Sequence, residues 1–251
     1  HGTLLIELDL SEAQKTLMIS GPNAGGKTVV LKTIGLLTLM AKAGLLIPAE
    51  ETSSLYLFEK IWLEMGDAQD LAANLSTFSG HIMGLKPIIE NATSTDLVLL
   101  DELSAGTDPE TGTALAQAIL EHIANKGATT LITTHFDRLK SLAIEDKRFR
   151  NGSMEFSLDT LKPTYKLILD IPGQSYGIEL AQQIGLPDSI IQNALKLRGS
   201  SASAMDEAIN SLMQARDESR KALAETHKHR VNAEQERARW EAEVEALKET
   251  R

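Results

Sequence analysis

The chain has 251 residues, no cysteine and a formal net charge of −10 at pH 7. That length buries the core of one large α/β domain with room for an appendage. The lack of cysteine excludes a disulfide scaffold and any Cys-based zinc site, in keeping with an intracellular, cytoplasmic address. An acidic chain is poorly suited to neutralising phosphates over a broad surface, so a nucleic-acid grip is expected elsewhere in the protein. The longest apolar run, 36–46, is interrupted by Lys42 and Gly44 and stops at Pro48, short of the ~18 to 20 residues of a membrane helix. With no start methionine at His1 and a charged helical pattern still running at Arg251, both ends read as boundaries within a longer protein.

In chain order, 3–10 and 15–20 carry the short apolar pattern of strands, with 11–14 as a turn between them. A glycine-rich loop follows, and 27–43 has apolar residues at helical spacing, stopped by Gly44 and Pro48. Residues 55–65 read as one or two strands, 79–91 as a helix containing Pro87, and 97–100 as a fully apolar core strand. After a loop at 104–109 come a helix over 109–126, ended by Gly127, and a β-branched strand over 129–133. This alternation predicts an α/β fold with a mainly parallel, layered sheet, the core spanning 1–150.

From Gly152 the texture changes. Residues 153–158 and 164–169 suggest a hairpin, and 177–184 and 187–197 two helices joined by Gly185, together a small accessory layer over 151–199. The helix, turn and helix resemble a groove-reading motif in outline, but acidic Glu179 and Asp188 favour a packing role. A polar linker at 200–203 leads into a stretch, 205–251, without Pro or Gly and rich in Ala, Glu, Arg and Lys, which predicts a long charged helix. Its imperfect apolar stripe, from Met205 and Ile209 to Val244 and Leu247, suggests a coiled-coil arm over 200–251, the alternative being a solvated helix.

The chemistry concentrates in a few segments. Gly21, Pro22, Asn23, Ala24, Gly25, Gly26, Lys27 and Thr28 satisfy the phosphate-loop pattern in its required context, after a strand and opening a helix. Glycines let backbone N–H groups close around a phosphate of ATP, Lys27 reaches the β- and γ-phosphates, and the Thr28 hydroxyl suits Mg²⁺. Asp101 and Glu102 end an apolar strand, which places Asp101 near the metal and Glu102 where it can orient or deprotonate water. Two acids after a strand more often make a solvated turn; the phosphate loop upstream reverses that preference. His135 closes the later core strand and is the candidate γ-phosphate sensor, against the plainer role of capping a strand end. The turn residues of 104–109, with Asp108 as a candidate nucleotide contact, suit a loop that carries information across a dimer interface.

Phosphate loop, acidic pair, loop and histidine occur in the order found in ABC-class ATPases. Ser76-Thr77-Phe78-Ser79, leading into a helix, resembles the signature of the MutS family rather than that of transporters. By itself the segment would be a plain helix cap. The resemblance implies that Ser76, Thr77, Phe78 and Ser79 face the nucleotide of an opposite subunit, so that two ATP sites form only in a homodimer. It also implies that Gln69 links nucleotide state to the rest of the protein, an exposed loop amide being the alternative. Within the family, the loop 21–36 and Gly66-Asp67-Ala68-Gln69-Asp70 look most like the bacterial MutS-two branch. That branch implies Mg²⁺-dependent ATP hydrolysis coupled to branched DNA or to stalled ribosomes, through regions outside this stretch. It also implies a nuclease domain beyond the charged helix. A chromosome-maintenance type of head, or a scaffold with silent sites, are the competing classes; an uninterrupted core argues against the first, intact Lys27 and Glu102 against the second.

Overall fold

The computed structural model describes residues 10–11, 13–22, 25–65, 77–103, 107–157, 160, 162–174 and 176–198, with scattered positions between 209 and 237. The strand expected over 3–10 lies, but for Leu10, outside the described residues, as does the linker 200–203. The chain divides into two compact units, His1–Gly199 and Ser200–Arg251. In the second, the described positions are helical.

The first unit is built on one six-stranded sheet of order β2-β3-β4-β1-β5-β6. Its strands are β1 (Thr16–Ser20), β2 (Ile61–Met65), β3 (Leu97–Asp101), β4 (Thr129–Thr133), β5 (Phe149–Ser157) and β6 (Lys162–Leu169). The first five pair in parallel and β6 runs antiparallel to β5. The helices are α1 (Lys27–Lys42), α2 (Thr77–Asn91), α3 (Pro109–Asn125), α4 (Asp137–Glu145), α5 (Gly177–Ile184) and α6 (Asp188–Arg198).

A strand that is apolar at every position is a strand covered on both faces, and β3 shows how the period of two divides it. Val98 and Leu100 join Met18, Ile132, Leu85, Leu120 and Leu139 in one buried cluster, under α2, α3 and α4. Leu97 and Leu99 join Leu17, Ile19, Leu131, Val30 and Leu31 in another, under α1. The result is three layers, helix on sheet on helix. Helix α1 packs so closely that a Cβ at Gly35 would fall 2.9 Å from Leu99 Cδ1.

Several expectations shift in detail. Only 61–65 of the 55–65 stretch is a strand; Leu55, Tyr56 and Leu57 are exposed and extended without a partner strand. Helix α2 passes through Pro87, as expected, and begins at Thr77 rather than Ser79. Helix α4 was not expected at all. The hairpin is the larger difference: β5 pairs with β1 along its first half, so the hairpin is an edge of the main sheet and the boundary expected at 150 falls inside a strand.

Turn chemistry fixes the ends of the elements. Asp108 caps α3, its carboxylate accepting from Thr111 N at 2.9 Å, with Pro109 in the first turn. Asp96, which is 1% exposed, gathers the start of β3: it accepts from Trp62 Nε1 at 3.1 Å, Thr93 N at 3.0 Å and Lys60 N at 3.2 Å. Burial alone would push its carboxyl up, but the bonds from Trp62, Thr93 and Lys60 outweigh it and hold Asp96 below the ordinary carboxylate range. A depressed carboxylate stabilises the fold above its unfolded pKa and loses that contribution as pH falls through the folded value. Asp96→Asn is therefore expected to cost about 1–3 kcal/mol near neutrality, and to flatten the acid side of a melting-temperature profile below about pH 4. Equal acid sensitivity of the variant and the parent would remove Asp96 as the cause.

Candidate functional site

Strands β1, β3 and β4 lie side by side in one direction, so their carboxyl ends meet at one edge of the sheet. That edge is where open α/β sheets bind ligands. From β1 the chain turns at Gly21, with φ +127°, and Gly25 N donates to Pro22 O at 2.9 Å. Gly26 then opens α1 at φ +89°, and a Cβ there would meet Tyr165 Cδ1 at 2.9 Å and Cε1 at 3.0 Å. Both the left-handed backbone and the close ring restrict position 26 to glycine. Asn23 and Ala24 lie outside the described residues.

The loop is supported from below by a distant segment. Ser20 Oγ accepts from Gly173 N at 2.7 Å and donates to Gly152 O at 3.3 Å. The approach is backbone to backbone: a Cβ at Gly173 would fall 2.6 Å from Gly21 N and from Ser20 O. Lys27 is 3% exposed and donates from Nζ to Gly21 O at 2.8 Å. Burial lowers its pKa, the charges of Glu102 and Asp101 act against that, and Lys140 adds to it. Its ammonium is thus held inside the loop and faces two carboxylates.

The carboxylate of Asp101 is fixed by two threonines. Thr28 Oγ1 donates to Asp101 Oδ2 at 2.8 Å, and Thr133 Oγ1 donates to Asp101 Oδ1. Thr133 Oγ1 in turn accepts from Glu102 N at 3.0 Å. Glu102 takes φ +49°, a left-handed conformation that a residue with a side chain adopts at a cost. The chain turns sharply there, immediately after Asp101, and the amide bond to Thr133 holds the turn. Among the described residues no group of three or more His, Cys, Asp or Glu side chains is arranged to hold a metal. Thr28 and Asp101 offer a hydroxyl and a carboxylate, a donor pair that fits Mg²⁺ when phosphate oxygens complete the shell.

The structure therefore brings Gly21, Pro22, Gly25, Gly26, Lys27, Thr28, Asp101 and Glu102 together. Thr77 starts α2, and Phe78 and Ser79 are half-buried in its first turn. Gln69, Ser76 and 104–106 lie outside the described residues. His135 follows β4, exposed, its ring 4.4 Å from that of Phe136; Thr134 N ties this turn to Ile19 O at 3.0 Å. The capping bond of Asp108 draws its carboxyl below the ordinary range, through Thr111 first. Two residues that sequence reasoning left without a role stand in the site: Thr133, and Tyr165 from β6, whose backbone φ of +58° brings its ring onto Gly26. A hydroxyl at the end of an apolar strand was a signal for the first; no local signal marks the second.

Removing the Thr133 hydroxyl at constant shape leaves Glu102 N–H and one Asp101 oxygen without their partner. Thr133→Val is expected to lower stability by about 1–3 kcal/mol, with Thr133→Ser close to the parent, measured by thermal melting. A Val variant as stable as the parent would show that the bridge carries no energy.

Comparison with known proteins places these residues in a family. Residues 17–201 match the model of MutS domain V. "Endonuclease MutS2" of Thermomicrobium roseum is 47% identical over 219 residues, which are 87% of this chain and 28% of that protein. The protein of the same name from Finegoldia magna is 41% identical over 247 residues, 97% of this chain and 31% of its own length. The chain thus spans less than a third of the curated relatives it matches. Phosphate loop, acidic pair and the helix that begins at Thr77 all fall within the matched segment, and the chain belongs to the MutS family as an ATPase domain of the MutS2 type.

Proposed function

We propose that this domain hydrolyses ATP with Mg²⁺ at sites shared between two copies of the chain. The observation that carries the reading is the bond from Thr28 to Asp101, which joins the phosphate loop to the strand that ends in the acidic pair. Lys27 binds the β- and γ-phosphates. Thr28 and Asp101 hold Mg²⁺, which supplies neutralisation of charge across those phosphates when bound. Glu102, set by its amide bond to Thr133, orients the attacking water and takes its proton. Tyr165, resting on Gly26, offers a ring on which the base can stack. His135 contacts the γ-phosphate from the end of β4.

The start of α2, with Ser76, Thr77, Phe78 and Ser79, completes the site of the other subunit, because N-terminal amides and hydroxyls favour a γ-phosphate. Asp108 and Gln69 communicate the state of that site. ATP therefore joins the two subunits, and hydrolysis separates them. The motion passes to regions upstream and, through the helix of 200–251 acting as a coiled-coil arm, downstream. The relatives' printed name, an endonuclease, favours a nucleic acid as the substrate of the whole protein; branched DNA and stalled ribosomes are the two cargoes proposed, bound through parts beyond this acidic stretch. Retention of the full-length protein on branched DNA against co-sedimentation with ribosomes decides between DNA and the ribosome as cargo.

Glu102→Gln is expected to reduce turnover by about 100-fold or more while nucleotide binding persists, with an ATP-bound dimer accumulating in size-exclusion chromatography. Loss of turnover with no such dimer would remove Glu102 as the base. Lys27→Ala and Ser79→Arg chains are each expected to be inactive alone. Mixed one to one, half of the dimers carry one intact site, so about a quarter of parental activity returns. No recovery on mixing would refute the shared site.

A further inference from the structure

Histidine 81 is 1% exposed, and neither Nδ1 nor Nε2 has a hydrogen-bond partner. A buried imidazole unsatisfied on both sides is rare enough to require a reason. It lies on the buried stripe of α2, four residues beyond Thr77, one turn before Leu85 and two before Ile88. The next position on that stripe toward β2 is Gly84. A Cβ at Gly84 would fall 2.0 Å from Glu64 Oε2 and 2.6 Å from its Cδ, so the carboxyl of Glu64 rests directly on bare helix backbone. From Gly84 to His81 is about 4.5 Å along the helix axis, and no side chain at Gly84 or Gly80 obstructs that path. Burial raises the carboxyl of Glu64 above its ordinary range, and the charge of His81 draws it back.

The two elements joined here are the two halves of the proposed site. Glu64 precedes Met65, which pairs in register with Asp101, and α2 carries the segment assigned to the opposite nucleotide. We propose that Glu64 and His81 are positioning residues: as the start of α2 engages nucleotide, the carboxyl moves along the bare face at Gly84 onto the ring of His81, and that hydrogen bond sets α2 against β2. The inference rests on the shared-site reading. It gives the two orphaned nitrogens a partner, explains why position 84 has no side chain, and couples the metal strand of one site to the helix that serves the other.

A hydrogen bond between a carboxylate and an imidazole is stronger than one between two neutral groups. The titratable groups on the elements packed around it are Glu64 on β2, Lys86 and Glu90 on α2, and Glu110, Glu121 and His122 on α3. Lys86 and Glu90 face each other, 3.9 Å apart, on the exposed side of α2.

The test uses the whole chain. His81→Phe fills the same space without polar atoms, and a purely structural histidine predicts a variant at least as stable with unchanged turnover. The expected result is a folded protein that binds ATP within about twofold of the parent yet turns over about tenfold more slowly. Glu64→Ala is expected to match it, the two changes together to cost no more than either alone, and Glu64→Gln to recover turnover. Parental turnover in His81→Phe and Glu64→Ala, or additive losses, would overturn the proposal. If the variants fail to fold, amide exchange of 81–85 in the parent decides: protection is expected to be gained there with a non-hydrolysable ATP analogue, and absence of any gain overturns the proposal. Lys27→Ala separates the two readings, since parental ATP binding in that variant would sink the nucleotide site itself, whereas ATP binding that depends on Lys27 with indifferent Glu64 and His81 sinks only the pair.

Discussion

Asp101 ties three separate parts of the fold to one point. One carboxylate oxygen takes the hydroxyl of Thr28 from α1, the other takes that of Thr133 from β4, and its own backbone ends β3. Each bond is modest in energy. Their joint effect is geometric, because the helix that carries Lys27, the strand that leads to His135 and the turn that carries Glu102 can no longer move independently. The buried clusters on both faces of the sheet make this possible by fixing the strands to well under the tolerance a hydrogen bond allows. A carboxylate at the end of a loosely packed strand would have no such authority.

Strain is concentrated close to that point. Glu102 and Tyr165 both occupy the left-handed region, and Gly26, between them and the phosphate loop, does so too. Residues are held in such conformations when their surroundings over-determine them. For Glu102 the surroundings are Asp101 and Thr133; Tyr165 falls where the register of β5 and β6 shifts, between the pairs Met154–Leu167 and Phe156–Pro163, and its ring lies against Gly26. Chemistry and strain coincide because the same turns that aim these groups are ones the chain would otherwise avoid.

Much of this was legible in the sequence where the information is local. The phosphate loop, the apolar run of β3 and the helix that opens at Pro109 are each contiguous, and contiguous signals reflect short-range physics. The membership of β5 and β6 in the main sheet was not legible, because β1 and β5 pair across more than a hundred residues and nothing in either strand names its partner. Helix α4 was missed because its nine residues are short and mixed in polarity. Residues 55–57 misled for the opposite reason: they are apolar and aromatic, as strands are, yet stand exposed. Tyr165 gains its place from tertiary structure alone.

The contact between Gly173 and Ser20 also orders events in time. The phosphate loop is synthesised well before the segments that support it: the strand that leads into it needs β4 on one side and β5 on the other, and its last serine needs an amide made 153 residues later. Contacts of such long sequence separation form late and slowly. During synthesis, the loop therefore has no settled shape until the chain has emerged past Gly173. A nascent chain is in this way kept from binding nucleotide before the sheet that must respond to it has closed.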